Sequence, residues 1–203
     1  MYRIVPIVPA IESKVQQQQE VTADYEKKQS ETMEAHALRN KKTGERLMED
    51  AKECEDKGIV DDCTDFYSEA GNQLIKATEK ICKAALVANN KEDAKYGKNN
   101  DKNVLQSHSA TVINNALGTD ALLTKEDAAK SDNITGNSGL DYINTEYGNR
   151  NNDVVSLDKN QVEELQNITN KAFDKFEENK QKAKVQKERQ QMVSFITDLV
   201  DNL

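Results

Sequence analysis

The chain has 203 residues, 36% hydrophobic and 32% charged, with no tryptophan, 4 phenylalanines and 6 tyrosines. That is too little aromatic mass for a thick globular core and suits elongated helices that bury narrow seams of Ala, Leu and Val. A formal charge of -8, a pI near 5.0 and no Lys/Arg cluster standing clear of neighbouring acids argue against a phosphate-backbone partner, so nucleic acid is not expected.

The opening "MYRIVPIVPAIESK" is apolar at Ile4, Val5, Ile7, Val8 and Ile11, but Pro6 and Pro9 interrupt it. It is too short for a secretory segment with a small-residue cleavage site, so residues 1–19 are expected to be a flexible lead-in without a cleavable signal. No stretch approaches the roughly 20 apolar residues that span a bilayer, and membrane contact is not expected.

Both prolines precede residue 10, which leaves helix as the default for the rest. From Glu20 to Lys57, Glu, Lys, Gln, Ala and Met dominate. A seam spaced by threes and fours runs through Met33, Ala37, Asn40, Gly44, Leu47, Ala51 and Cys54, weakest at Asn40 and Gly44. A second seam through Cys63, Tyr67, Ala70, Leu74, Ala77, Ile81, Ala84 and Ala88 keeps heptad spacing without a charged interruption. Gly58, with Asp61 or Asp62 as N-cap, places a turn near 57–62 and predicts an antiparallel helical hairpin over residues 20–90. Tyr67, Ala70, Leu74, Ala77 and Ile81 are its expected helix-packing or subunit-interface residues.

The turn is bracketed by cysteines, "CEDKGIVDDC". In a hairpin, Cys54 and Cys63 would face each other at the closed end, where a disulfide is geometrically reasonable; two small buried apolar residues, suited to a reducing compartment, is the other reading. Both stay open. No zinc site is expected, because the spacing is not C-x-x-C, Cys82 is turned beside the seam and His36 and His108 form no metal-spaced pair. Glu53, Glu55, Asp61 and Asp62 crowd the thiols with negative charge, which argues against a redox enzyme.

Residues 91–157 form a variable middle. "NNKEDAKYGKNNDKN" reads as a linker, and "NVLQSHSATVINNALG" as a short helix with Leu105, His108, Val112 and Ala116 on one face and Gly118 as C-cap. Ser107 and Ser109 flank His108 in sequence, but neighbours on a helix diverge, so no nucleophile and base pair is read there. Thr119 and Thr124 precede acids that could complete caps, and Thr124 to Lys130 reads as another short helix. Residues 131–157 carry Gly136, Gly139, Gly148 and many Asn and Asp, with β-prone "NIT" and "DVVSL". They read as a small irregular insert with one short β-ribbon. No EF-hand frame is present, turns explain the Asp and Asn, and no metal or other cofactor is expected.

Asp158, with Gln161 three positions on, opens a long helix over 158–203. Its early face holds Val162, Leu165, Ile168, Ala172, Phe173 and Phe176; "EENKQKAKVQKERQQ" is polar and solvent-washed; apolar spacing returns at Met192, Phe195, Ile196, Leu199, Val200 and Leu203. A chain end this apolar calls for a partner: the first helix, another subunit or, less readily, a membrane surface. Val162, Leu165, Ala172, Phe176, Met192, Phe195, Ile196, Leu199 and Leu203 complete the expected packing or interface set. The expected class is mainly α: an elongated hairpin and a long C-terminal helix forming a coiled coil, with a small irregular insert.

Residues 139–176, "GLDYINTEYGNRNNDVVSLDKNQVEELQNITNKAFDKF", resemble the corresponding region of the hydrophilic translocators of type III secretion systems, the EspA/SseB-like filament and needle-tip subunits. Asp141, Tyr142, Tyr147 and Gly148 fall on that family's ordered insert, and Leu157, Asp158, Val162 and Leu165 on the helix start that follows it. The resemblance implies a protein secreted to the bacterial surface without a cleaved signal, self-associating into a tip complex or tube between needle and pore. It also implies a secretion chaperone covering Val193–Leu203 before export, and contact with the needle and the pore-forming translocators. A helical minor pilin or adhesin of another secretion system, a coiled-coil scaffold and a phage structural protein remain open. An enzyme is not expected: Glu163 with Glu164, and Glu177 with Glu178, read as solvated helix faces, and no phosphate loop or nucleophile elbow occurs.

Overall fold

The computed structural model describes residues 8–89, 104–136 and 157–201, with side chains at 24–59, 63–89, 104–136 and 157–200. Five α-helices carry the architecture: α1 (Val8–Asp56), α2 (Val60–Ala88), α3 (Ala110–Leu117), α4 (Lys125–Ile134) and α5 (Lys159–Asp201), with 3-10 turns at Val104–Gln106 and Gly118–Asp120. No strand occurs among the described residues, and the protein is mainly α. Helix α1 begins inside the stretch expected to be a flexible lead-in. Pro9 sits in its first turn, where a missing N–H and a fixed φ suit a helix start.

Helix α1 ends where Gly58 takes φ 72°. The Ile59 N–H then reaches the Cys54 carbonyl at 3.1 Å and the Gly58 N–H the Glu55 carbonyl at 2.9 Å, the paired closure of a Schellman motif. Lys57, Gly58 and Ile59 are all that separate the helices, and Ile59 stands at the N-cap of α2 without a side-chain cap bond; Asp61 and Asp62, expected as caps, fall inside the helix. Helix α2 is the centre of the molecule. It packs against α1, α3 and the first half of α5, and from Ile81 to Val87 it is buried all round.

The weakest point of the α1 seam is where the hairpin closes tightest. A Cβ on Gly44 would lie 2.9 Å from Leu74 Cγ and 3.1 Å from the Ala70 carbonyl oxygen, so the missing side chain is what lets α1 and α2 approach. Apolar side chains gather in two clusters. Met48, Tyr67, Leu74, Leu157 and Leu165 fill the closed end; Ile81, Leu86, Ile113, Leu117, Ile168 and Phe176 fill the region under the short helices.

The expected helix over "NVLQSHSATVINNALG" is broken in two. The Asp132 carboxylate, brought in by α4, accepts from Ala110 N at 2.7 Å, Thr111 N at 3.1 Å and the Ser109 hydroxyl at 2.7 Å, while Ser109 Oγ accepts from Val112 N at 3.2 Å. With its orphan N–H groups satisfied there, α3 begins at Ala110. Its buried face is therefore Ala110, Ile113, Asn114 and Leu117, whereas Val112, read on one face with Leu105, His108 and Ala116, is 46% exposed. Gly118 does end the helix.

Asn114 fastens the following loop, its amide oxygen accepting from Leu122 N and Leu123 N and its NH₂ donating to the Leu123 carbonyl. Thr124 caps α4, accepting from Asp127 N at 3.0 Å. "NIT" is not β: Asn133 and Ile134 form the last turn of α4 and Thr135 is its C-cap. The remaining β-prone piece, apart from Leu157, and Asp141, Tyr142, Tyr147 and Gly148 lie outside the described residues.

Helix α5 opens on a reciprocal capping box, Asp158 N–H to Gln161 Oε1 and Gln161 N–H to Asp158 Oδ1, both 2.9 Å. Val162, Leu165, Ile168, Ala172 and Phe176 then pack inward, and the buried Thr78 and Thr169 hydroxyls meet at 2.9 Å between α2 and α5. Ion pairs Lys159–Glu55 at 2.7 Å and Lys180–Glu34 at 2.8 Å set α5 antiparallel to α1.

Candidate assembly surface

The Ser30 hydroxyl donates to the Ala84 carbonyl at 2.9 Å, so α2 runs out near the level of α1 residue 26. Helix α1 continues past that level to Val8 and α5 continues to Asp201, leaving α2 the shortest of the three long helices. A cleft of about 300 Å³ opens at the end of α2, walled by Ser30, Glu34, Val87, Phe176 and Lys180. The Lys180 ammonium lies 5.3 Å from the Phe176 ring centre, and Lys41 covers Phe173 at 5.2 Å, so two cations sit over the last aromatic rings of the body.

Beyond this edge every described residue of α5, from Lys180 to Val200, is exposed. At 1.5 Å per residue, 181–201 is a rod of about 30 Å. Its base is held helical by local charge. Glu178 accepts from Lys175 at 2.8 Å and also pairs with Lys182, and these two ammoniums hold its carboxyl down at about 2. Its far end carries Met192, Val193, Phe195, Ile196, Leu199 and Val200, each between 54% and 67% exposed. Spacings of three and four place Met192, Phe195, Ile196 and Leu199 on one face. Large apolar side chains exposed together on one face of an otherwise charged helix mark an interaction site.

The expected interface set therefore divides. Tyr67, Ala70, Leu74, Ala77, Ile81, Val162, Leu165, Ala172 and Phe176 are all buried within the chain and pack helix on helix. Met192, Phe195, Ile196 and Leu199 point to solvent on the rod, and Leu203 lies outside the described residues. Both groups share one periodicity; what separates them is whether α2 reaches them.

Cys54 and Cys63 come together at the closed end as free thiols. Cys63 donates to the Ile59 carbonyl at 2.9 Å; burial, then the neighbouring Cys54, then Glu55 push its thiol upward. Cys82 is fully enclosed under α3, and burial with the charge of Glu79 pushes it up to about 12. Tyr67, buried beside the Lys159–Glu55 pair, is raised by burial and by the Glu55 carboxylate.

A polar cluster that sequence reasoning missed sits where α2 meets the segment before α3. Glu79 takes the Lys83 ammonium on Oε1 and His108 Nδ1 on Oε2, the latter at 3.0 Å. Both α2 charges are almost fully buried. The i,i+4 spacing of Glu79 and Lys83 was the available signal; His108 is joined to them only by the fold. With its carboxylate engaged on both oxygens, the cluster works as a clamp on the 104–109 segment. Among the described residues no group of three or more His, Cys, Asp or Glu is placed to hold a metal ion, and no helix is long and apolar enough to cross a membrane.

Asp158 caps α5, and Leu157, Val162 and Leu165 are buried behind it. No family model, curated protein or solved structure matches the chain.

Proposed function

We propose that this protein is a structural subunit that self-assembles through helical surfaces, and that its assembly is an extracellular appendage of a bacterial secretion system, of the type III translocator filament or needle-tip kind. The observation that carries the assembly part is the α5 rod: a helix committed to the fold at one end and presenting an unpartnered apolar face at the other. Such a face costs solubility in a monomer and gains most when another chain covers it. The appendage part is supported by the resemblance of residues 139–176 and by an acidic composition that keeps an exported protein soluble.

In this reading the chain performs no chemistry on a substrate. The body holds α5 in place, the rod presents the contact, and before export a chaperone covers Val193–Leu203. The test is electron microscopy of the purified chain, concentrated with and without reductant, beside light scattering. Regular filaments or rings are expected. A monomer under every condition would end the self-assembly reading. An export assay in cells with and without a type III apparatus tests the appendage; apparatus-independent export, or none, would remove it.

A further inference from the structure

Assembly through the end of α5 makes no use of the cysteine-bracketed turn. Lys57, Gly58 and Ile59 fold the end of α1 onto the start of α2, and Ile59 ties a cysteine on each side. Its N–H donates to the Cys54 carbonyl at 3.1 Å, and its own carbonyl accepts from the Cys63 thiol at 2.9 Å. Both side chains then reach one apolar cluster, Cys63 as a buried member beside Met48, Tyr67 and Leu165 and Cys54 packed against it. After burial, Cys54 is the strongest influence on the Cys63 thiol, as neighbouring sulfurs require. A pair held on so short a turn needs little backbone movement to reach disulfide geometry.

The two thiols are unequal. Cys54 is half-buried, whereas Cys63 is only 5% exposed. Cys54 is therefore the sulfur that meets an oxidant from solvent, and Cys63 the one that resolves the intermediate. With a low-molecular-weight disulfide as oxidant, the Cys54 thiolate attacks one of its sulfurs and a small thiolate leaves. Cys63, losing its proton to water, then attacks the Cys54 sulfur and the second small thiolate leaves. The protein gives up two protons and two electrons, and the small disulfide becomes two thiols. Cys82 takes no part, because it is enclosed in the other cluster, under α3.

The bond would hold the seat of α5. Glu55, next to Cys54, pairs with Lys159 at 2.7 Å, and Leu157, Val162 and Leu165 lie in the same cluster as Cys63. An opening that parts α1 from α2 at this end also loosens the first turns of α5. A covalent link opposes that opening by removing chain freedom from the opened state.

We propose that Cys54 and Cys63 are a thiol–disulfide switch built into the closed end of the hairpin: reduced, that end opens locally; oxidised, it is stapled and seats α5 more firmly. The switch stands apart from the assembly reading, which concerns the other end of α5.

The experiment incubates the folded full chain with glutathione disulfide, maps its peptides without reduction, and follows amide hydrogen exchange of both forms by mass spectrometry. The expected product is an intramolecular Cys54–Cys63 bond that dithiothreitol reverses. Exchange over residues 48–70 and 159–168 is expected to slow at least about tenfold on oxidation, and exchange over 110–134 to stay as it was. Cys54→Ser, at the half-buried position, is expected to keep the reduced-state exchange pattern and abolish the response. Cys63→Ala is expected to stop at a mixed disulfide of glutathione on Cys54.

A native chain that keeps glutathione on Cys54 without passing it to Cys63 overturns the pairing. So does a bond that forms only in urea, or one that links two copies. A Cys54–Cys63 bond that leaves exchange over 48–70 and 159–168 unaltered overturns the switch.

Discussion

Single side chains decide where the short helices begin. Asp132 supplies the N-terminal cap of α3 from another helix, accepting three hydrogen bonds, so Asp132→Ala is expected to cost about 2 kcal/mol. Urea denaturation followed by circular dichroism measures it, and a change under about 0.5 kcal/mol would mean that water replaces the carboxylate. Asp127 is pushed up by burial, yet the Lys171 ammonium at 2.8 Å and the Thr124 hydroxyl outweigh this, so its folded carboxyl titrates below the ordinary Asp value. Its contribution to stability is fully present above the unfolded carboxylate pKa and is lost as pH falls through the folded value. Asp127→Asn should therefore lower stability at neutral pH and flatten the acid limb of the stability curve; an unchanged limb would show that the pair contributes nothing to folding.

The cysteines separate by position. Mild oxidation with a glutathione disulfide is expected to link Cys54 to Cys63, closing a loop of about ten residues worth about 2–3 kcal/mol, while Cys82 stays unmodified until the chain unfolds. Peptide mapping by mass spectrometry reads both, and labelling of Cys82 in the native protein near neutral pH would contradict its burial.

At the scale of the element, the hairpin depends on close approach more than on large side chains. Gly44→Ala gains up to about 1 kcal/mol of helix propensity but sets a methyl against Leu74 Cγ and the Ala70 backbone oxygen. Because one neighbour is backbone, we expect a net loss of about 1–2 kcal/mol by urea denaturation; a net gain would show that α1 and α2 can separate without loss elsewhere. The same element teaches a limit of periodicity. Asn40 and Gly44 look like a flaw in the α1 seam when a heptad is filled by hydrophobicity alone. Against Leu74 and Ala70 the glycine is the fit.

At the scale of the whole molecule, a folded body and a projecting rod are two parts of one helix. Truncation after residue 191 removes the apolar end and, among the described residues, no buried side chain. The thermal midpoint of the body is expected to shift by less than about 2 °C, and concentration-dependent association to disappear. Loss of the body's cooperative melting would instead make 192–203 part of the fold.

Much of this was legible in the chain itself. The absence of proline after residue 9 and a helix-forming composition made the protein helical. Gly58 between two seams made the first pair of helices a hairpin, Asp158 with Gln161 started α5, and Gly118 and Thr124 marked ends of short helices. These signals are local, a few residues in contact with their own backbone, and they read the same in any surroundings. What only the tertiary structure decided is non-local. Asp132 reaches α3 from another helix and moves its start from the sequence's natural beginning to Ala110, turning Val112 outward; His108 joins Glu79 and Lys83 across 29 residues. The apolar positions of α5 look alike from Val162 to Leu199, yet those up to Phe176 are core and those from Met192 on are surface, because α2 ends at Ala88 and burial depends on which neighbour is long enough to be there.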